Sequence, residues 1–177
     1  MSHIHNEPGQ YDLTVGAYIV RIIDSEPKAF LHLHKKLNKL LPIGGHVELD
    51  ETPWQSLLRE VEEESGYKLT ELKVLQPTKR IAELKDQNVQ PQALVITSYD
   101  YNSEHNHTDL AFGLIVEGDP SSSRAENESN EFLWLTLKEL KDLDESRIFT
   151  NTKQIYEFVL EECLNKWEII NASNFKK

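Results

Sequence analysis

Gly45-His-Val-Glu-Leu-Asp-Glu51-Thr-Pro-Trp-Gln-Ser-Leu-Leu-Arg59-Glu60-Val-Glu-Glu63-Glu64-Ser-Gly66 packs carboxylates at fixed spacing between two glycines. Its punctuation defines a helix. Thr52 and Gln55 make a capping box, Pro53 occupies the first helical position, and Gly66 supplies a left-handed stop. The spacing predicts a helix over Pro53 to Ser65. At about 100° per residue, Leu57, Leu58, Val61 and Ser65 fall within roughly 60° of Trp54, which makes an apolar stripe directed at a core. Glu60, Glu63 and Glu64 fall at about 240°, 180° and 280° on the same wheel, projecting together away from that stripe.

Carboxylates held close together repel and raise one another's pKa unless a cation joins them. A donor set made only of oxygen favours a hard ion. Mg²⁺ fits best, with Mn²⁺ as its substitute, because Mg²⁺ takes one or two protein carboxylates, keeps several waters and shares its other positions with substrate phosphates. The expected chemistry is metal-assisted attack on phosphorus. An arbitrary Glu-rich helix face is usually just solvated; here the spacing argues otherwise.

The stretch resembles the Nudix box, Gly-x5-Glu-x7-Arg-Glu-U-x-Glu-Glu-x-Gly-U with U a bulky aliphatic residue, through Gly45, Glu51, Arg59, Glu60, Val61, Glu63, Glu64 and Gly66. Seven fixed residues at those intervals would coincide by chance on the order of once in 10⁸ start positions. Tyr67 in the last aliphatic position is the one departure. The resemblance implies a Nudix-type α/β/α sandwich with a mixed sheet and a loop-helix-loop catalytic motif. It also implies roles: Glu63 and Glu64 as principal metal ligands, Glu60 as a further ligand or base, and Arg59 as an orienting residue paired with box carboxylates. Glu51 would support the loop, and a glycine carbonyl, that of Gly44 or Gly45, would complete a metal shell. A glutamate in the loop before the strand carrying Trp134 would add a ligand or general base, which nominates Glu128, then Glu126 or Glu131.

The implied reaction is hydrolysis of a nucleoside diphosphate linked to another group. Markers for particular substrates are missing: Ala82 and Glu83 stand where ADP-ribose hydrolases have proline, and Leu84 where diadenosine-polyphosphate hydrolases have tyrosine. A nucleoside triphosphate pyrophosphohydrolase is the leading expectation, with a nucleotide sugar or dinucleotide as alternative substrate. A catalytically idle nucleotide-binding or interaction domain is the rival, since fold and motif do not guarantee turnover.

Composition bounds the rest. The chain has 177 residues, 38% hydrophobic and 28% charged, enough for one domain over 11–172 between a flexible N-terminus (1–10) and a short tail (173–177). A net charge of −11 argues against polymeric nucleic acid as partner, because such binding needs Lys and Arg against phosphates. No membrane span or signal peptide is visible, so a cytoplasmic location is expected, and the sequence leaves open whether the chain acts alone or as a homodimer. Local cations for a phosphate substrate would come from Arg21, Lys35, Lys36, Lys39, Lys79 and Arg80. Cys163, the single cysteine, reads as a buried inert thiol, and His3 and His5 as part of a flexible terminus.

Strand composition marks Leu13 to Ile23, Ala29 to Lys35, Leu69 to Leu75, Ala93 to Tyr101, Asp109 to Glu117 and Phe132 to Leu135, with Pro42 to Glu48 as a Gly-containing strand or turn. A short helix is expected over Lys138 to Leu143. A long amphipathic one is expected from Thr152 to Ile170, burying Ile155, Phe158, Val159, Cys163 and Trp167. His105, His107 and Asp109 form a polar cluster near a strand start. Asn151 reads as a helix cap before a base reader, and Tyr18, Tyr99, Tyr101 and Phe149 as core aromatics before stacking groups.

Overall fold

The computed structural model describes residues 9–102, 105–125 and 131–175. β1 (Tyr11–Ile23) is the axis of the sheet, and the elements after it are β2 (Glu26–His34), β3 (Lys39–Leu41), β4 (Ile43–His46) and helix α1 (Pro53–Ser65). Next come β5 (Lys73–Gln76), β6 (Val95–Asn102), β7 (His105–Ile115), β8 (Phe132–Thr136), α2 (Leu137–Asp142) and α3 (Thr150–Phe158). A π-helical turn (Val159–Cys163) joins α3 to α4 (Leu164–Lys166), and β9 (Glu168–Asn171) follows.

The main strand order is β3-β2-β1-β7-β5-β9, with β4 added to β1, β6 to β7 and β8 to β2. β1 and β7 run parallel over ten paired positions while the other strand pairings are antiparallel, so the sheet is mixed. Alternation along β1 sends Val15, Ala17 and Ile19 to one face, under Trp54, Leu57, Leu58 and Val61 of α1. It sends Tyr18 and Val20 to the other, under Tyr156, Val159, Leu160 and Cys163 of the C-terminal helical segment. The result is the α/β/α sandwich. Each large apolar side chain buried this way contributes about 1.5–3 kcal/mol.

α1 starts and stops where its sequence signals stand. Thr52 accepts from the Gln55 amide at 3.2 Å, the Gln55 side chain accepts from the Thr52 amide at 2.8 Å, and Gly66 at φ 82° ends the helix. Trp54 is fully buried between Phe112 and Phe175.

Several boundaries depart from expectation. The strand expected from Leu69 begins instead with a 3₁₀ turn over Leu69–Glu71, because Glu71 accepts from the Lys68 amide at 2.8 Å and closes the turn. The expected helix to Ile170 stops at Lys166: Trp167 is extended, and β-branched Ile169 and Ile170 pair with Leu75 and Val74 of β5. The buried face of α3 runs through Thr152, Tyr156 and Val159 at helical spacing, so Tyr156 and Leu160 are buried while Phe158, expected in the core, is exposed. Asn151 is not a cap: α3 starts two residues earlier than expected, at Thr150, with Phe149 at the cap position and Asn151 exposed. Among the described residues no helix is long and apolar enough to cross a membrane.

Candidate active site

β4 and α1 make the site together. In the antiparallel pairing of β4 with β1, Val47 N–H donates to the Leu13 carbonyl at 2.9 Å, and alternation therefore turns the Gly45 backbone toward Val15 and the Gly44 backbone away from β1. The Gly44 amide, freed from the ladder, donates to Glu64 Oε2 at 3.2 Å. Gly45 presents no side chain to α1, and a Cβ built there would lie 2.2 Å from Glu60 Oε1. The two glycines thus let two carboxylates of the helix come up against the strand. Glu60 and Glu64 are each only 5% exposed.

The expected trio of carboxylates is divided. Glu60 and Glu64 are buried against β4, whereas the Glu63 side chain is half exposed and meets Arg59 Nη1 at 3.5 Å. The helical wheel could not anticipate this, because it shows directions around one helix and not that a glycine strand covers one flank of the polar side.

Arg59 organises the group. Its Nε and Nη2 donate to the two oxygens of Glu51 at 3.2 and 2.7 Å, and Nη1 donates to Glu60 Oε1 at 2.7 Å. Nη2 also reaches the His46 carbonyl at 3.1 Å, which accepts from Ser56 Oγ at 3.0 Å. Loop, strand and helix are clasped by one guanidinium, whose fork geometry suits paired carboxylates. Burial pushes the Glu51 carboxyl up, and the Arg59, Glu48 and Ser56 hydrogen bonds outweigh it and leave it below its ordinary value. The Glu51 bond raises the Arg59 value in turn.

His32, which sequence reading passed over, is buried on β2 with Nδ1 3.8 Å from Glu64 Oε2. Burial, and then His34, push its imidazole down to about 4, so it is uncharged at neutral pH and the approach is not an ion pair. Alternation on β2 placed His32 on the face of Phe30; only the packing of α1 brought Glu64 to it.

Other expected residues are placed elsewhere or not described. Glu128, with Glu126, lies outside the described residues, as do His3 and His5; Glu131 gives its carbonyl to the Leu33 amide. Of the cations, Arg21 bonds Asp119, Lys39 bonds the Glu145 and Ser146 carbonyls, and Arg80 bonds Glu168 and the Pro77 carbonyl. These three are engaged away from the box. Tyr18 is buried against Tyr156, with ring centroids 4.8 Å apart. Tyr99 and Phe149 keep exposed surface. Within the polar cluster expected at His105 to Asp109, alternation puts His107 and Asp109 on the same face of β7: Asp109 accepts from Thr14 Oγ1 at 2.8 Å, and His107 lies with Asp12 and His46.

The NUDIX domain family model matches residues 12–156. Solved structures with the same fold include a NUDIX-family hydrolase from Clostridium perfringens, with 24% identity, TM-score 0.68, and coverage of 86% of this chain and 97% of that one. A NUDIX hydrolase from Nitrosomonas europaea aligns at 18% identity and TM-score 0.59 over 95% of this chain and 97% of its own. A C. elegans Ap4A hydrolase aligns at 15% identity and TM-score 0.60 over 82% and 92%. No curated protein matches the sequence.

Proposed function

The chain belongs to the NUDIX domain family; from that premise we propose that it is a hydrolase of phosphoric anhydride bonds that cleaves the pyrophosphate linkage of a nucleoside diphosphate joined to another group, in a Mg²⁺-dependent reaction. The leading substrate is a nucleoside triphosphate, yielding monophosphate and pyrophosphate.

The observation that carries this reading is the pair of buried carboxylates, Glu60 and Glu64, drawn against Gly44 and Gly45 and clasped by Arg59. An all-oxygen donor set held this closely fits a hard divalent ion. Glu60 and Glu64 would hold it, with the outer Glu63 completing the set. The carbonyl of Gly44 is a better further ligand than that of Gly45, because the Gly44 backbone is the one turned from β1 toward Glu64. When bound, the metal neutralises charge that develops on the leaving phosphate. Arg59 keeps Glu60 aimed and ties it to Glu51, so the carboxylates are positioned before substrate arrives. The proton of the attacking water goes to Glu60 or to a loop glutamate, for which Glu128 is the nominee.

The structural relatives are associated with several nucleotide derivatives: one is an Ap4A hydrolase, another a UDP-X diphosphatase, and a third, a NUDIX domain of Shewanella oneidensis NrtR, was solved with ADP-ribose. Retention of every acidic box position favours turnover over an idle nucleotide sensor. The test is product formation with Mg²⁺ across nucleoside triphosphates, nucleotide sugars and dinucleoside polyphosphates, for wild type and Glu64→Gln. Hydrolysis that collapses in the variant is expected; tight nucleotide binding without product from any panel member overturns the hydrolytic reading.

A further inference from the structure

Strand register brings three metal-ligating side chains into one row on the sheet face opposite α1. Asp12 of β1 pairs with His107 of β7, Thr14 pairs with His46 of β4, and His107 pairs with Tyr99 of β6. Residues directly opposite across a ladder share a face, and Asp12 and Thr14 share one by alternation. The face is that of Tyr18, not that of Val15 and Ala17, which carry α1. On β4 the Gly45 Cβ direction runs into Glu60, so the next residue, His46, points to the other side.

The row is close in space and buried. One ligand atom from each of Asp12, His46 and His107 lies within 4.8 Å of the others, and His46 Nε2 stands 3.6 Å from Asp12 Oδ2. Asp12 is fully buried, His107 is 5% exposed, and the His46 side chain is 13% exposed, which leaves a narrow way in. The two imidazoles meet edge to face at 5.2 Å between centroids. Tyr99 Oη lies 3.0 Å from His107 Nδ1, which leaves Nε2 as the nitrogen for a ligand.

We propose that Asp12, His46 and His107 form a second cation site, separate from the box carboxylates, that takes a borderline transition-metal ion of the Zn²⁺ type. Two imidazoles and a carboxylate are a nitrogen-rich set that selects such ions over Mg²⁺, and three protein ligands leave positions for water. With metal–ligand bonds of about 2.0–2.2 Å, tetrahedral ligands stand about 3.4 Å apart. The 3.6 Å pair already has that spacing, and side-chain rotation closes the rest. Tyr99 holds the His107 ring in its ligating orientation, as a hydrogen bond to the second nitrogen commonly does. Because the ligands come from three neighbouring strands, a bound ion fastens β4 to β1 and β7. It also steadies His46, whose carbonyl receives Arg59 and Ser56. The inference stands whether or not the box turns over substrate.

Co²⁺ is the probe. Chelator-stripped protein in excess Mg²⁺ is titrated with Co²⁺ and followed by visible absorption. One equivalent with an imidazole-type band is expected, unchanged in Glu64→Gln and in the double variant His3→Ala/His5→Ala. His46→Asn or His107→Asn weakens binding at least about 100-fold, and Tyr99→Phe about 10-fold. Absence of the band, its loss in Glu64→Gln or in the double variant, or its persistence in His107→Asn overturns the proposal. Should the histidine variants fail to fold, X-ray absorption of Zn²⁺-loaded wild type decides the matter: two imidazole shells support the site, and one or none refutes it.

Discussion

Adjacent glycines in β4 make opposite demands, and alanine substitution separates them. At Gly45 a new Cβ lies 2.2 Å from Glu60 Oε1, 2.5 Å from its Cδ and 2.9 Å from Oε2. Ordinary carbon–oxygen contact needs the carboxylate to retreat by about 1 Å or more. Glu60 is a flexible side chain, so it can move, but doing so breaks its 2.7 Å bond from Arg59. Gly45→Ala should therefore cost only about 1–2 kcal/mol of stability, the worth of one charge-assisted hydrogen bond. Turnover should fall on the order of 100-fold, because a catalytic group has been misplaced by about 1 Å. At Gly44 the Cβ would meet backbone, 2.1 Å from the Val15 carbonyl oxygen and 3.1 Å from Gly16 Cα. Neither can yield without parting β4 from β1, so Gly44→Ala should cost about 3 kcal/mol or more. Thermal unfolding in chelator would register these as a drop of a few degrees for Gly45→Ala and about 6–12 °C for Gly44→Ala. Turnover and Mn²⁺ binding by electron paramagnetic resonance complete the comparison. A fully active Gly45→Ala would refute the placement of Glu60 at the reaction, and a Gly44→Ala with wild-type melting would refute the close approach of β4 to β1.

Arg59→Lys keeps the charge but cannot span Glu51, Glu60 and the His46 carbonyl at once. Urea unfolding should show a loss of about 1–2 kcal/mol, with turnover reduced at least about 10-fold; wild-type values in both assays would sink the clasp argument. Tyr67→Phe removes the 2.7 Å hydrogen bond that the tyrosine donates to the Gly118 carbonyl, and a stability loss of about 1 kcal/mol is expected by the same measurement. That variant also tests why tyrosine replaces an aliphatic residue there. Cys163 is fully buried, and burial, then Glu162, push its thiol up to about 12. At pH 8 a disulfide reagent should label it only in urea. The native state holds a proton that the unfolded chain gives up near the usual 9.0. This contribution to stability is therefore complete below pH 9 and is lost as pH rises toward about 12. Rapid labelling of the native protein would contradict the burial.

What the sequence determined alone was local. α1 was legible to the residue because its cap, its N1 proline and its left-handed glycine all act within a turn of the helix ends, and the apolar stripe followed from a period of 3.6. The box spacing likewise groups Arg59, Glu60, Glu63 and Glu64. The end of the C-terminal helix was not legible, because the strand preference of two isoleucines is too weak to end a helical run by itself and the choice was made by the edge of β5, with which Ile169 and Ile170 pair. The separation of Glu60 and Glu64 from Glu63, the turn of the Gly44 amide toward Glu64, and the meeting of Asp12, His46 and His107 all depended on strand pairing and on how α1 packs against it. Register joins residues far apart in the chain, 95 positions for Asp12 and His107 and 108 for Lys28 and Thr136, and a one-residue slip would send each side chain to the opposite face. Short-range chemistry is written in neighbouring residues, whereas these contacts exist only once long-range pairing has chosen which faces meet.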